Sequence, residues 1–140
     1  MDTLTVEQRH RNMCRVKSRD TKIEVKVRKF LFHLGFRYRK NVKSLPGTPD
    51  VVLPKYKTVI FVNGCFWHQH ANCSKATIPA TRHEWWQKKL TSNVVNDKLH
   101  TDRLCEMGWK VIVIWQCELE KDFDGVMNRV CEILRRRECD

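Results

Sequence analysis

Apolar residues recur with two different periods along this chain, and each change of period marks an element. From Thr21 onward, Ile23, Val27, Phe30, Leu31 and Leu34 fall on one helical face, and Gly35 suits the left-handed stop that follows. Thr21 and Glu24 have the spacing of a capping box. The stretch "FRYRK" alternates apolar and basic positions, as a half-exposed strand does. "LPGTPD" is a turn cluster that delivers Asp50 to the start of "VVL". A Pro-Lys-Tyr turn then leads into "TVIFV", so Asp50 to Val62 reads as a hairpin. A second capping box, Thr81 with Glu84, is expected to open a long helix carrying Trp85, Trp86, Leu90, Val94 and Leu104 and ending at Gly108. "WKVIVIW" is a continuous apolar run, expected as a central strand covered on both faces. The tail from Phe123 to Arg137 is an amphipathic helix with a basic end. The predicted order is α-β-β-β-α-β-α, a single α/β domain with a mixed β-sheet flanked by helices.

Length and composition narrow the class. The chain has 140 residues, of which 41% are hydrophobic, enough for one domain with a real core. Lys and Arg outnumber Asp and Glu by 27 to 16, a formal net charge of +11. Such a surplus draws phosphate backbones and gives salt-dependent affinity. No apolar stretch is long enough to span a bilayer, and the basic residues occur in every segment rather than in one stripe. Nucleic acid is therefore preferred to membrane as the partner. The first twenty residues are polar and basic and contain no secretory signal, so residues 1–20 read as a DNA-binding arm and residues 21–140 as the main domain. Seven cysteines in such a chain fit a reducing compartment, and an odd number cannot all pair.

Chemistry concentrates in "VIFVNGCFWHQHANC", where a buried-strand pattern gives way to thiols, histidines and bulky aromatics. Cys65, His70, Cys73 and Cys117 would make a Cys₃His set, with zinc bracing the 65–73 loop. The alternative is buried thiols and a turn histidine. Asp50, fixed where a turn meets a strand, can hold Mg²⁺ against a scissile phosphate, although turns use Pro-Asp constantly. The next strand supplies neither a second acid nor a lysine, so the Val62 backbone carbonyl would have to assist. His68 is the candidate base, with a zinc ligand or surface histidine as the bland reading. Phe66 and Trp67 are expected to be exposed on their loop, and adjacent Trp85 and Trp86 cannot both face the core. On a cationic protein such aromatics suit stacking on bases, or else packing around the loop.

The segments "RNM", "RDTKIE", "SLPGTPDVVL", "VIFVNGCFWHQH", "IPATRHEWWQKKLTSNVVND" and "LCEMGWKVIVIWQC" together resemble the very-short-patch repair (Vsr) endonucleases, a zinc-containing branch of the PD-(D/E)xK nucleases. The resemblance implies a restriction-endonuclease-like fold with structural zinc on Cys65, His70, Cys73 and Cys117. It implies catalytic Mg²⁺ on Asp50 with help from the Val62 carbonyl, His68 as general base, and Glu24 supporting the metal-water shell. Phe66, Trp67 and Trp86 would form a wedge beside a T:G mismatch, Met13 would enter from the minor groove, and Lys89 and Asn93 would contact the mismatch region. The implied reaction is a nick on the 5′ side of the mismatched thymine, the lesion left by deamination of 5-methylcytosine. The implied setting is a monomer at the bacterial nucleoid, in the cytoplasm, with a mismatch-repair matchmaker and a repair polymerase as candidate partners.

Two departures stand out. Asn63 occupies the position of a family histidine next to the Gly-Cys, and the segment around Gln69 to Asn72 is one residue longer than the pattern. Two other readings share these residues: a sequence-specific endonuclease of restriction or homing type acting on unmismatched DNA, and a zinc-stabilised DNA-binding module without catalysis.

Overall fold

The computed structural model describes residues 22–138. Met13 and the rest of the expected arm lie outside them, as does Thr21, the first half of the first capping box. The described elements are α1 (Lys22–His33), β1 (Arg39–Lys40), β2 (Val51–Leu53), β3 (Thr58–Asn63), α2 (His83–Glu106), β4 (Lys110–Trp115) and α3 (Gln116–Glu138). Their order is the one the periodicity predicts. Glycine ends two of the helices: Gly35 (φ 90°) follows α1 and Gly108 (φ 90°) follows α2, both in the left-handed region.

The four strands form one mixed sheet in the order β1-β2-β3-β4. β2 and β3 make the expected hairpin, pairing Val51 with Ile60 and Leu53 with Thr58. β3 and β4 run parallel, from Thr58 beside Lys110 to Asn63 beside Trp115. That pairing requires a crossover, and α2 supplies it.

Strand alternation sorts the core into two layers. Val51, Leu53, Ile60, Val62 and Ile114 face α1 and α3, where Val27, Leu31, Met127, Val130 and Leu134 close over them. Val52 and Val59 point to the other face and meet Leu104 of α2, with Phe61 and Val111 at its margin. The sheet thus lies between helices on both faces.

Three expectations need correction. β4 is an edge strand rather than a central one: its single strand neighbour among the described residues is β3. Ile114 is buried under α3, while Val113, on the opposite face, keeps 39% of its surface exposed. The Thr81–Glu84 capping box is not formed. α2 starts at His83 behind Arg82, whose left-handed φ of 55° takes the N-cap position with no side-chain cap. The tail helix also begins sooner than its apolar pattern indicates, directly after β4, and is interrupted at Asp122 (φ −153°, ψ 75°). Asp122 Oδ1 accepts the Gly125 amide hydrogen at 3.1 Å, capping the segment that follows.

Candidate active site and metal centre

The hairpin places Asp50 at the mouth of β2, next to the end of β3. Its Oδ2 accepts the Val62 amide hydrogen at 2.7 Å, which pins the carboxylate to rigid backbone. The approach to Asp50 is irregular: Asn41 (φ 50°), Gly47 (φ 76°) and Thr48 (φ 47°) are all left-handed. Gly47 is held to glycine twice over, since a Cβ there would also come within 3.0 Å of the His100 side chain on α2.

A cavity of about 520 Å³ opens at this corner, and its lining includes Asp50, Val62, Asn63 and His68 together with Asn41, Lys43, Gly47 and Thr48. Burial pushes the Asp50 carboxyl up to about 7, and the neighbouring Glu24 carboxylate adds to the shift, against the pull of the Val62 amide. Glu24 is itself buried on α1 and lies 3.7 Å from Arg28. A desolvated carboxylate with a second one nearby is a donor set for a hard divalent cation, which prefers oxygen ligands and retains water. Asp50 and Glu24 fit Mg²⁺ in that chemical sense.

The loop after β3 folds back by its own backbone bonds. His68 N–H donates to Gly64 O at 3.1 Å, and His70 N–H to Cys65 O at 2.9 Å. Gln69 (φ 49°) and Asn72 (φ 58°) take left-handed turns within the segment. Two side chains of α2 then hold the loop from outside. Asn93 Nδ2 donates to the Trp67 carbonyl at 3.0 Å. Asp97 Oδ2 lies 2.6 Å from His68 Nδ1. A proton on Nδ1, shared with that carboxylate, leaves Nε2 as the basic nitrogen.

The four expected metal ligands converge. The ligand atoms of Cys65, His70, Cys73 and Cys117 all lie within 4.8 Å of one another. His70 Nδ1 is 3.3 Å from Cys117 Sγ and 3.7 Å from Cys65 Sγ. Ligands about 2.3 Å from a tetrahedral zinc ion sit roughly 3.8 Å apart, so these spacings fit zinc. Burial pushes the Cys65 thiol up to about 12, a strain that a bound cation would relieve. The Lys75 amide hydrogen lowers Cys73, and the Cys117 amide donates to Cys65 Sγ at 3.4 Å. Trp115 stacks on the His70 ring at 4.2 Å and 11°, fixing its plane, and the Lys75–Glu120 ion pair ties the loop to α3.

The aromatics differ from expectation. Phe66 and Trp67 are half-buried rather than exposed, because they pack on each other and on Trp86, with ring centroids 5.2–5.8 Å apart. Trp86 is 5% exposed and Trp85 45%, so the adjacent pair divides between core and surface as the helical spacing requires. Lys89 is exposed on α2, and Asn63 is buried at the end of β3 on the cavity wall. Asp97 was not legible as a site residue, although a signal existed. Trp86, Leu90, Asn93, Asp97, His100 and Leu104 follow one another at three- and four-residue steps, a single inward stripe whose polar members face the two loops.

A carboxylate on a strand end, an imidazole–carboxylate pair beside it and a Cys/His centre bracing the loop between them belong to a DNA endonuclease. The family model described as DNA mismatch endonuclease Vsr matches residues 1–75, and the chain belongs to that family. It is 49% identical over 119 residues to the type II nicking enzyme V.NmeAIP of Neisseria meningitidis serogroup A, covering 85% of this chain and 84% of that one. It is 41% identical over 133 residues to the type II nicking enzyme V.XorIIP of Xanthomonas oryzae, covering 95% and 96%. The DNA mismatch endonuclease Vsr of Escherichia coli is 43% identical over 111 residues, covering 79% of this chain and 70% of that protein. Among the described residues no helix is long and apolar enough to cross a membrane.

Proposed function

We propose that this endonuclease nicks one strand of duplex DNA on the 5′ side of the thymine of a T:G mismatch, in a reaction that depends on Mg²⁺. The observation that supports it most is adjacency. Phe66 and Trp67 of the aromatic group precede His68 directly on one loop, and His68 lines the same cavity as Asp50. Asp50, with Glu24 and the Val62 carbonyl, would hold Mg²⁺, which when bound would polarise a phosphate oxygen and offset the charge of the transition state. His68 Nε2 takes a proton from water while Asp97 holds the other nitrogen and stabilises the imidazolium. The water oxygen bonds to phosphorus, the bond to the 3′ oxygen breaks, and that oxygen collects a proton from solvent, leaving a 5′-phosphate. Asn63 can donate to a phosphate oxygen but cannot carry the proton.

Recognition would fall to Phe66, Trp67 and Trp86 as a preassembled wedge, in which the buried Trp86 backs the two loop rings, with Lys89 and Asn93 near the mismatch. Residues 1–20, including Met13, would act as an arm in the minor groove, and residues 21–140 as the nuclease domain with a zinc-bound 65–73 loop. The relative in Escherichia coli is named a mismatch endonuclease, which supports this reading. The enzyme would act as a monomer at the bacterial nucleoid and pass its nick to a mismatch-repair matchmaker and a repair polymerase.

Two variants test the reading on matched T:G and C:G duplexes, with binding measured in Ca²⁺ and nicking in Mg²⁺. Asp50→Asn should bind and not nick. Phe66→Ala with Trp67→Ala should lose its preference for T:G, since each stacked contact is worth roughly 1–3 kcal/mol. Equal nicking of both duplexes by the parent protein would replace mismatch repair with a sequence-specific nicking activity. No nicking of any duplex would leave only a DNA-binding module.

A further inference from the structure

We infer that Lys43 is the side chain that binds the scissile phosphate, a cation carried by the irregular wall of the cavity and not by the strand that follows Asp50. The inference rests on the nuclease reading above. As water attacks phosphorus, negative charge grows on the non-bridging oxygens, and a fixed cation within reach lowers that barrier. β3 reads TVIFVN and offers no such group. The cavity is already acidic: Asp50 lines it and Glu24 lies close enough to act on Asp50 electrostatically. Arg28 also acts on Asp50, but it is buried against Glu24 at 3.7 Å and is not part of the lining. Lys43 is the one lysine or arginine on the wall among the described residues.

Its setting supports the assignment. Asn41, Lys43, Gly47 and Thr48 all line the wall, and three of these four hold left-handed backbone. Asn41 adopts that conformation readily, but for the β-branched Thr48 it is costly, and such cost concentrates where a segment must hold a ligand-facing shape. The lysine itself is exposed. Its four-carbon stem can lie along the wall while the ammonium, with three donors, meets phosphate as a point charge.

The full-length chain tests this by single-turnover nicking of a T:G duplex in Mg²⁺ at saturating protein, with binding of the same duplex followed in Ca²⁺. Lys43→Met should slow the nicking step roughly ten- to a hundredfold, the rate equivalent of one charge-assisted hydrogen bond. Binding should weaken no more than it does for Lys55→Met, a charge removed from the hairpin turn at the far end of β3. Lys43→Arg should recover most of the rate. Parent-rate nicking by Lys43→Met, or a loss matched by Lys55→Met, overturns the inference. Asp50→Asn run alongside separates the two levels. If it still nicks, the nuclease reading of this cavity fails; if it is silent while Lys43→Met is unimpaired, only the role of Lys43 fails.

Discussion

His68 and Asp97 stand 29 residues apart in the chain and 2.6 Å apart in the fold. A carboxylate on Nδ1 selects the tautomer with a basic Nε2 and steadies the ring as it takes a proton. Asp97→Asn should therefore lower the single-turnover nicking rate by roughly tenfold or more, within the range that general bases contribute, and leave duplex binding intact. His68→Ala should cost more. Because both changes disable one unit, the double mutant should be little worse than His68→Ala alone. Additive losses would show that Asp97 acts elsewhere.

Asp50 makes the folded protein sensitive to pH when Mg²⁺ is absent. Its carboxyl is raised from 3.8 to about 7, mainly by burial, so the folded state holds a proton that the unfolded chain has released. Stability from this group is present at low pH and declines as pH rises from about 4 to 7. Asp50→Asn should consequently raise the melting temperature of zinc-loaded, Mg²⁺-free protein at pH 8, with a smaller effect at pH 5. Added Mg²⁺ should stabilise the parent and not the mutant. A parent whose melting temperature climbs between these pH values contradicts this account of Asp50.

Cys73→Ser and Cys117→Ser should each release zinc and lower the melting temperature, because a structural metal site contributes its binding energy to folding. Metal content and thermal unfolding measured on one sample decide it. Full zinc with unchanged melting would remove that residue from the ligand set.

Asn63→His places an imidazole on the cavity wall beside Asp50 and His68. Nicking should hold or rise, most visibly near neutral pH where imidazole titrates. A folded variant that no longer nicks would mean that this buried strand end has no room for the ring.

The element order was readable because α1, the hairpin and α2 each keep one period long enough to identify. β4 misled because "VIVI" says only that a strand is apolar. Its place at the edge depends on which strands remain to pair with it, and composition does not carry that. The cap of α2 was missed for a related reason: Thr81 and Glu84 have the right spacing, but the chain leaving the cysteine loop enters the helix through Arg82 in a left-handed turn. The fold brings the ligand atoms of Cys65, His70, Cys73 and Cys117 within 4.8 Å of one another, and as a candidate set, with buried thiols and a turn histidine as the alternative, they were legible from residue type. Asp97 and Lys43 were not, because both look like ordinary surface charges until the fold sets them beside Asp50 and His68.

Cys65 and Cys117 lie 52 residues apart, and α2 falls wholly between them. A metal ion shared by these two thiols would act as a reversible tether around the whole β3–α2–β4 crossover. Closing a loop of that length removes about 4 kcal/mol of disorder from the unfolded chain in the chain-entropy treatment. The loop contains His68, the Asp97 that holds it and the aromatic trio, whereas Asp50 and Glu24 lie outside it. Metal loading would then govern when the two halves of the active site meet. A chain stripped of zinc would keep its affinity for phosphate backbones, since its surplus of lysine and arginine is untouched, while losing the ability to cut them.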